Sequence, residues 1–129
     1  MEQEFAAFVD GRFTDFQRLG YLLTGDWRVA EKLVYAAFAK VRRSAGWERA
    51  AQVALVRASL RWWRPPYVGD ELLQSLSRRT RAMVVLRYYA ELPDGDIAEI
   101  MGCSVAAVRT RFSRVPTGRT SRRPFHRLG

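Results

Sequence analysis

Near the end of the chain the stretch "SVAAVRTRFSR", residues 104 to 114, places Arg109, Thr110, Arg111 and Arg114 within about three helical turns. Val105, Val108, Phe112 and Val115 recur at spacings of three, four and three, which is one apolar stripe along a helix. Ala106, Ala107, Arg109, Thr110, Ser113 and Arg114 then point outward, with Arg111 at the edge of the stripe. A face of small residues and arginines is slim enough to enter the major groove of duplex DNA, about 12 Å wide. There the Arg109 guanidinium suits guanine, the Thr110 methyl suits thymine, and Arg111 and Arg114 suit phosphates. The chain holds no asparagine and this face no glutamine, so the usual bidentate reading of adenine is absent from it.

Such a face needs a partner helix to hold it. Just upstream, "DIAEIMGC" offers Ile97, Ala98, Ile100 and Met101 as an inner face, and Ala98 is small enough to let a second helix approach. Gly102 supplies the left-handed residue of a tight turn, and Ser104 the N-cap that starts the next helix. The pattern predicts a helix-turn-helix. Cys103, beside the turn glycine, reads as a small buried hydrophobe.

The charge pattern agrees with a polyanionic partner. The chain of 129 residues carries 22 Lys and Arg against 13 Asp and Glu, a formal +9. Residues 100 to 129 contain seven basic residues and no acidic one, whereas residues 1 to 41 contain five basic and six acidic. One end is thus built to meet an anion and the other for something else. Cys103 is the only cysteine and His126 the only histidine, so neither a disulfide framework nor a Cys/His metal site is expected. No Ser/His/Asp set, paired carboxylates or phosphate loop is present, and the reading is of a non-enzyme with no catalytic residue, metal or cofactor. The acidic start "MEQEF" and the lack of a long apolar run predict a cytoplasmic protein with no membrane partner.

Periodicity fills in the elements that precede the motif. Phe5, Phe8, Val9, Phe16, Leu19, Leu22 and Leu23 predict a helix from about 3 to 24, stopped by Gly25. Asp26 can cap a second, with Val29, Leu33, Val34, Ala37, Phe38 and Val41 inward. A third, about 47 to 63, presents Val53, Leu55, Val56, Ser59 and Leu60 and ends on "RWWRPP", because paired prolines cannot continue a helix. A short helical piece at Leu72, Leu73 and Leu76 follows. A further helix over "RRTRAMVVLRYYAEL" turns Met83, Val84, Leu86 and Tyr88 or Tyr89 inward, and Pro93 and Gly95 break it. The expected fold is all-α, a three-helix unit at 1–64, a short linker at 65–71, a helix-turn-helix unit at 72–115 and a basic, aperiodic tail at 116–129 that is expected to be disordered.

The segment "LQSLSRRTRAMVVLRYYAELPDGDIAEIMGCSVAAVRTRFSR" resembles region 4 of an extracytoplasmic-function sigma factor of the sigma-70 family, of the small actinobacterial kind. Upstream, "FVDGRFTDFQRLGYLLTGDWRVAEKLV" and "VRASLRWWR" resemble region 2 of the same family. The resemblance implies a transcription initiation protein with no catalytic activity, partnered by promoter DNA and the RNA polymerase core, and by an anti-sigma factor or another protein. It assigns Arg109, Thr110, Arg111 and Arg114 to the −35 element, and Arg57, Arg61, Trp62, Trp63 and Arg64 to the −10 end of region 2.

In the family the second helix carries an acidic residue after its Ala-Glu pair and a Gln-acid pair three residues on, which dock on polymerase. Here Glu31 is followed by Lys32, and Tyr35 and Ala36 stand where that pair would be. A cation in place of a carboxylate opposes docking on a basic partner. Residues 65 to 71 also span at most about 25 Å, while the two promoter elements lie about 50 Å apart along duplex. These departures raise a second expectation, a degenerate sigma-like protein that acts as a stand-alone regulator or protein-interaction module.

Overall fold

A computed structural model describes residues 2–62 and 67–115, apart from the side chain of Trp62. Among them the chain forms seven helices and no strand: α1 (Glu2–Thr24), α2 (Trp27–Val41), α3 (Trp47–Trp62), α4 (Glu71–Gln74), α5 (Arg78–Tyr88), α6 (Asp94–Met101) and α7 (Val105–Ser113). The all-α expectation holds, with helix ends close to those the periodicity gives.

Helices α1, α2 and α3 pack against one another as the first unit. Gly25 ends α1 with φ +74°, a backbone setting that costs glycine little. Asp26 then starts α2, its carboxylate accepting from the backbone N–H groups of Arg28 (2.8 Å) and Val29 (3.2 Å). At the far end of α1, Phe5 and Phe8 pack on Trp47 with ring centroids 5.1 and 5.5 Å away, which fixes the start of α3. Arg12 clamps α1 to α3 through a two-point contact with Glu48, Nε to Oε1 at 2.8 Å and Nη2 to Oε2 at 2.6 Å. That hydrogen bonding raises the Arg12 pKa above its ordinary value, against the opposing pull of burial.

Helices α5, α6 and α7 form the second unit, and the two units share one hydrophobic core running from Phe16 to Val115. Helix α5 touches α1, α3, α6 and α7. This is why every residue from Arg81 to Leu86 is buried, where an amphipathic pattern predicts a single inward face. Helix α6 is covered by α3 on one side and by α5 and α7 on others, so Ile97 and Ile100 are both fully buried. Pro93 serves as the N-cap residue of α6, and Gly95 lies inside its first turn instead of breaking the preceding helix.

The span expected to be a linker contains a structural anchor. Tyr67 is buried, its hydroxyl donates to the Leu22 carbonyl at 2.8 Å, and its ring lies under the Arg81 guanidinium at 4.0 Å. Arg81, itself only 4% exposed, donates from Nε to the Leu73 carbonyl (2.9 Å) and from Nη2 to the Leu76 carbonyl (3.0 Å). The arginine therefore satisfies carbonyls at the end of short α4 and stacks on a ring of the shared core that is tied to α1 through Leu22. Gly25 makes room for the ring, since a Cβ there would meet Tyr67 Cδ2 at 2.8 Å.

Polar contacts at the seam are secondary. Arg49 of α3 reaches Glu99 (2.7 Å) and Asp96 (3.4 Å) of α6, and the Tyr89 hydroxyl donates to the Asp15 carbonyl at 3.4 Å. Partly exposed ion pairs of this kind contribute about 0 to 1 kcal/mol each, less than one buried leucine at about 1.5 to 3 kcal/mol. The shared apolar core, not the Arg49 pairs, holds the units together.

Candidate nucleic-acid interface

The end of α6 and the start of α7 are built from local chemistry. Gly102 sits at φ 72°, ψ 38°; its N–H reaches the Glu99 carbonyl (3.3 Å) and the Cys103 N–H reaches the Ala98 carbonyl (3.0 Å). These two bonds close the helix in a Schellman turn that needs a left-handed residue at its centre. Two residues on, the Ser104 hydroxyl accepts from the Ala107 N–H at 3.0 Å and opens α7. Cys103 is only partly buried, because the turn lifts it toward the surface.

Val108 is the fully buried residue of α7, with Val105 and Phe112 partly buried and Val115 closing the stripe just past the helix end. The opposite face is open. Ala106, Ala107, Arg109, Thr110, Ser113 and Arg114 are exposed and Arg111 is half-buried, the arrangement that the spacing predicts. Arg111 leans on α5, its Nη1 3.5 Å from the Thr80 hydroxyl. Beside it on α5, Arg78 and Arg79 are exposed, with Arg79 donating to the Met101 carbonyl at 3.4 Å. The basic surface therefore extends from α7 onto the N-terminal turn of α5.

Arg109 has a neighbour that no helical period reveals. Its Nε lies 3.7 Å from Asp94 Oδ2, while Asp94 Oδ1 lies 3.4 Å from Arg87 Nη1. Arg87 in turn stacks over the Phe112 ring at 4.5 Å. Arg87, Asp94 and Arg109 border an open cleft completed by Glu91, Leu92, Pro93, Gly95 and Val105. Glu91 has φ 57°, a left-handed setting that is unusual for a residue with a side chain and that turns the chain from α5 into α6.

The residues assigned by resemblance to region 2 fall elsewhere. Arg57 and Arg61 are exposed on α3, and Arg57 Nη2 would be 3.9 Å from a Cβ at Gly102, so it faces the helix-turn-helix turn. Trp62 is the last residue of α3; its side chain, together with Trp63 and Arg64, lies outside the described residues, as does the tail from 116. Glu31, Lys32, Tyr35 and Ala36 are all exposed on α2, with the Tyr35 ring 5.1 Å from that of Phe13. No helix is long and apolar enough to cross a membrane among the described residues.

The fold and turn define a helix-turn-helix with an exposed cationic second helix. Residues 70–115 match the family described as sigma-70, region 4, so the match begins at the Asp70 cap of α4 and ends where the described chain ends. The matched stretch is roughly a third of the chain, and the family it matches is a DNA-binding regulatory one of transcription. No curated protein matches the chain.

Proposed function

We propose that the protein is a sequence-specific DNA-binding transcription protein that reads a −35-type promoter element through α7. Arg109 and Thr110 contact base edges in the major groove, and Arg111 and Arg114 grip phosphates on either side. The observation that carries this reading is the open outer face of α7, with Arg109, Thr110 and Arg114 exposed on a turn fixed by Gly102 and Ser104. Binding of fluorescent duplexes tests it. Affinity is expected to fall steeply with added salt and to differ between sequences, whereas salt-insensitive or sequence-blind binding contradicts it.

A second reading concerns the polymerase. The first unit resembles region 2 in sequence, yet Lys32 and Ala36 are exposed where the family's docking carboxylates stand, and Tyr35 where its glutamine stands. The core shared by the two units also keeps the helix-turn-helix beside α1 and α3, which favours action as one body on a short DNA site. In this reading the protein regulates without the polymerase core, alone or with an anti-sigma factor or other protein partner. Co-migration with purified core polymerase decides it. The unaltered chain is expected not to co-migrate, and Lys32→Asp with Ala36→Glu to gain binding; tight binding and promoter-specific initiation by the unaltered chain restore the conventional sigma role.

A further inference from the structure

Arg109 is 73% exposed at its side chain, and an arginine that free has many rotamers to lose before it can face a base. Its position is constrained from one side only. Asp94, at the first turn of α6 and only 23% exposed at its side chain, puts Oδ2 on the Nε edge of Arg109 at 3.7 Å and Oδ1 toward Arg87 at 3.4 Å. Arg87 is itself seated on the Phe112 ring. The carboxylate thus comes nearest to Nε and not to the terminal Nη1 and Nη2 edge, the edge able to donate two parallel hydrogen bonds to guanine O6 and N7.

Resting on the reading that Arg109 contacts guanine, we propose that Asp94 is a positioning residue for that contact: the chain Phe112, Arg87, Asp94, Arg109 sets the arginine for bidentate recognition and sharpens preference at one base pair. Two opposite effects follow from one carboxylate. Its negative charge near the DNA lowers affinity for every sequence, and its grip on Arg109 raises the penalty for a wrong base. A carboxylate that only supported the fold would change affinity for all sequences in the same direction and proportion.

The test measures affinity of the full chain for duplexes that vary base by base, with Asp94→Asn, Arg87→Gln, Arg109→Ala and the Asp94→Asn/Arg109→Ala pair, each checked by circular dichroism. Asp94→Asn is expected to cut discrimination about three- to tenfold, a part of the ~10- to 100-fold that one bidentate pair supplies. The loss should fall only at the position that Arg109→Ala erases, while affinity for unrelated DNA holds or rises. Arg87→Gln should reproduce a smaller loss at that same position and serves as the decisive variant should Asp94→Asn not fold. The double variant should match Arg109→Ala alone in base preference, with affinity for all sequences equal or higher. Loss of affinity in equal proportion on all sequences, or unchanged preference at the Arg109 position, overturns the assignment of Asp94. If Arg109→Ala itself alters no position, the underlying assignment of Arg109 fails instead.

Discussion

Helices α2 and α7 each bury one face in the same core and present the other to solvent, yet the outer faces differ in kind. On α2 the exposed residues include Arg28, Glu31, Lys32, Tyr35, Ala36 and Lys40, so one acid stands among three bases beside an aromatic resting on Phe13. On α7 they include Arg109, Thr110 and Arg114, flanked by half-buried Arg111, in a stretch with no acidic residue from 100 onward. Packing dictates the inner faces of both helices in the same way, so packing says nothing about what the outer ones do. The charges differ in their company: α7 carries bases in a stretch with no acid and attracts a polyanion at a distance, while on α2 Glu31 offsets part of the charge of Arg28, Lys32 and Lys40 within about a Debye length, ~8 to 10 Å.

The comparison depends on both faces belonging to one body, and Tyr67 is where that is most easily broken. Tyr67→Ala removes a buried ring that touches Leu22 through its hydroxyl and Arg81 through its face. The expected cost is about 3 to 5 kcal/mol, read as a lowered midpoint in denaturant, with Arg81 left against a cavity. An undiminished midpoint would show that Tyr67 does not help to tie the two units together.

A smaller effect sharpens the assignment on the α7 side. Arg114→Ala should weaken binding to all duplexes alike, by about 1 kcal/mol, and reduce the salt slope by about 1, the result that the proposed phosphate grip of Arg114 predicts. The paired change Glu31→Ala on α2 should leave DNA affinity nearly unchanged. Ser104→Ala is expected to cost about 1 kcal/mol of stability by orphaning the Ala107 N–H at the head of α7, measured by thermal unfolding.

The smallest effect appears only in alkali. Burial raises the pKa of both Tyr67 and Tyr89 above the ordinary tyrosine value near 10. A raised value means the folded state favours the neutral phenol. The stability it contributes is complete below about pH 10 and is lost as pH rises from there through the folded-state values. Denaturant midpoints should therefore be flat to about pH 9.5 and decline above it, and Tyr67→Phe should flatten part of that decline.

Much of the fold was legible because apolar spacing and end signals are local. The stripes of α1, α2 and α7, the caps Asp26 and Ser104 and the turn at Gly102 are all stated by residues within a few positions of one another. What spacing missed lies between elements. Arg81 reads as a solvent residue in any amphipathic pattern, yet it is buried because Tyr67, fourteen residues upstream, supplies a ring and the end of α4 supplies carbonyls. The all-round burial of α5 from Arg81 to Leu86 follows from packing against α1, α3, α6 and α7, which no single helix announces. At the candidate site the outward face of α7 was readable, but Asp94 and Arg87 were not, since only the turn through Glu91 and the packing of α6 on α5 bring them to Arg109.

The claim that α7 reads sequence is tested most directly by selecting bound duplexes from a randomised pool and sequencing them, for the full chain and for Arg109→Ala. A short motif containing a guanine is expected from the unaltered chain, and the variant should return the same motif with that one position blank. Two identical motifs, or none from the unaltered chain, would contradict it.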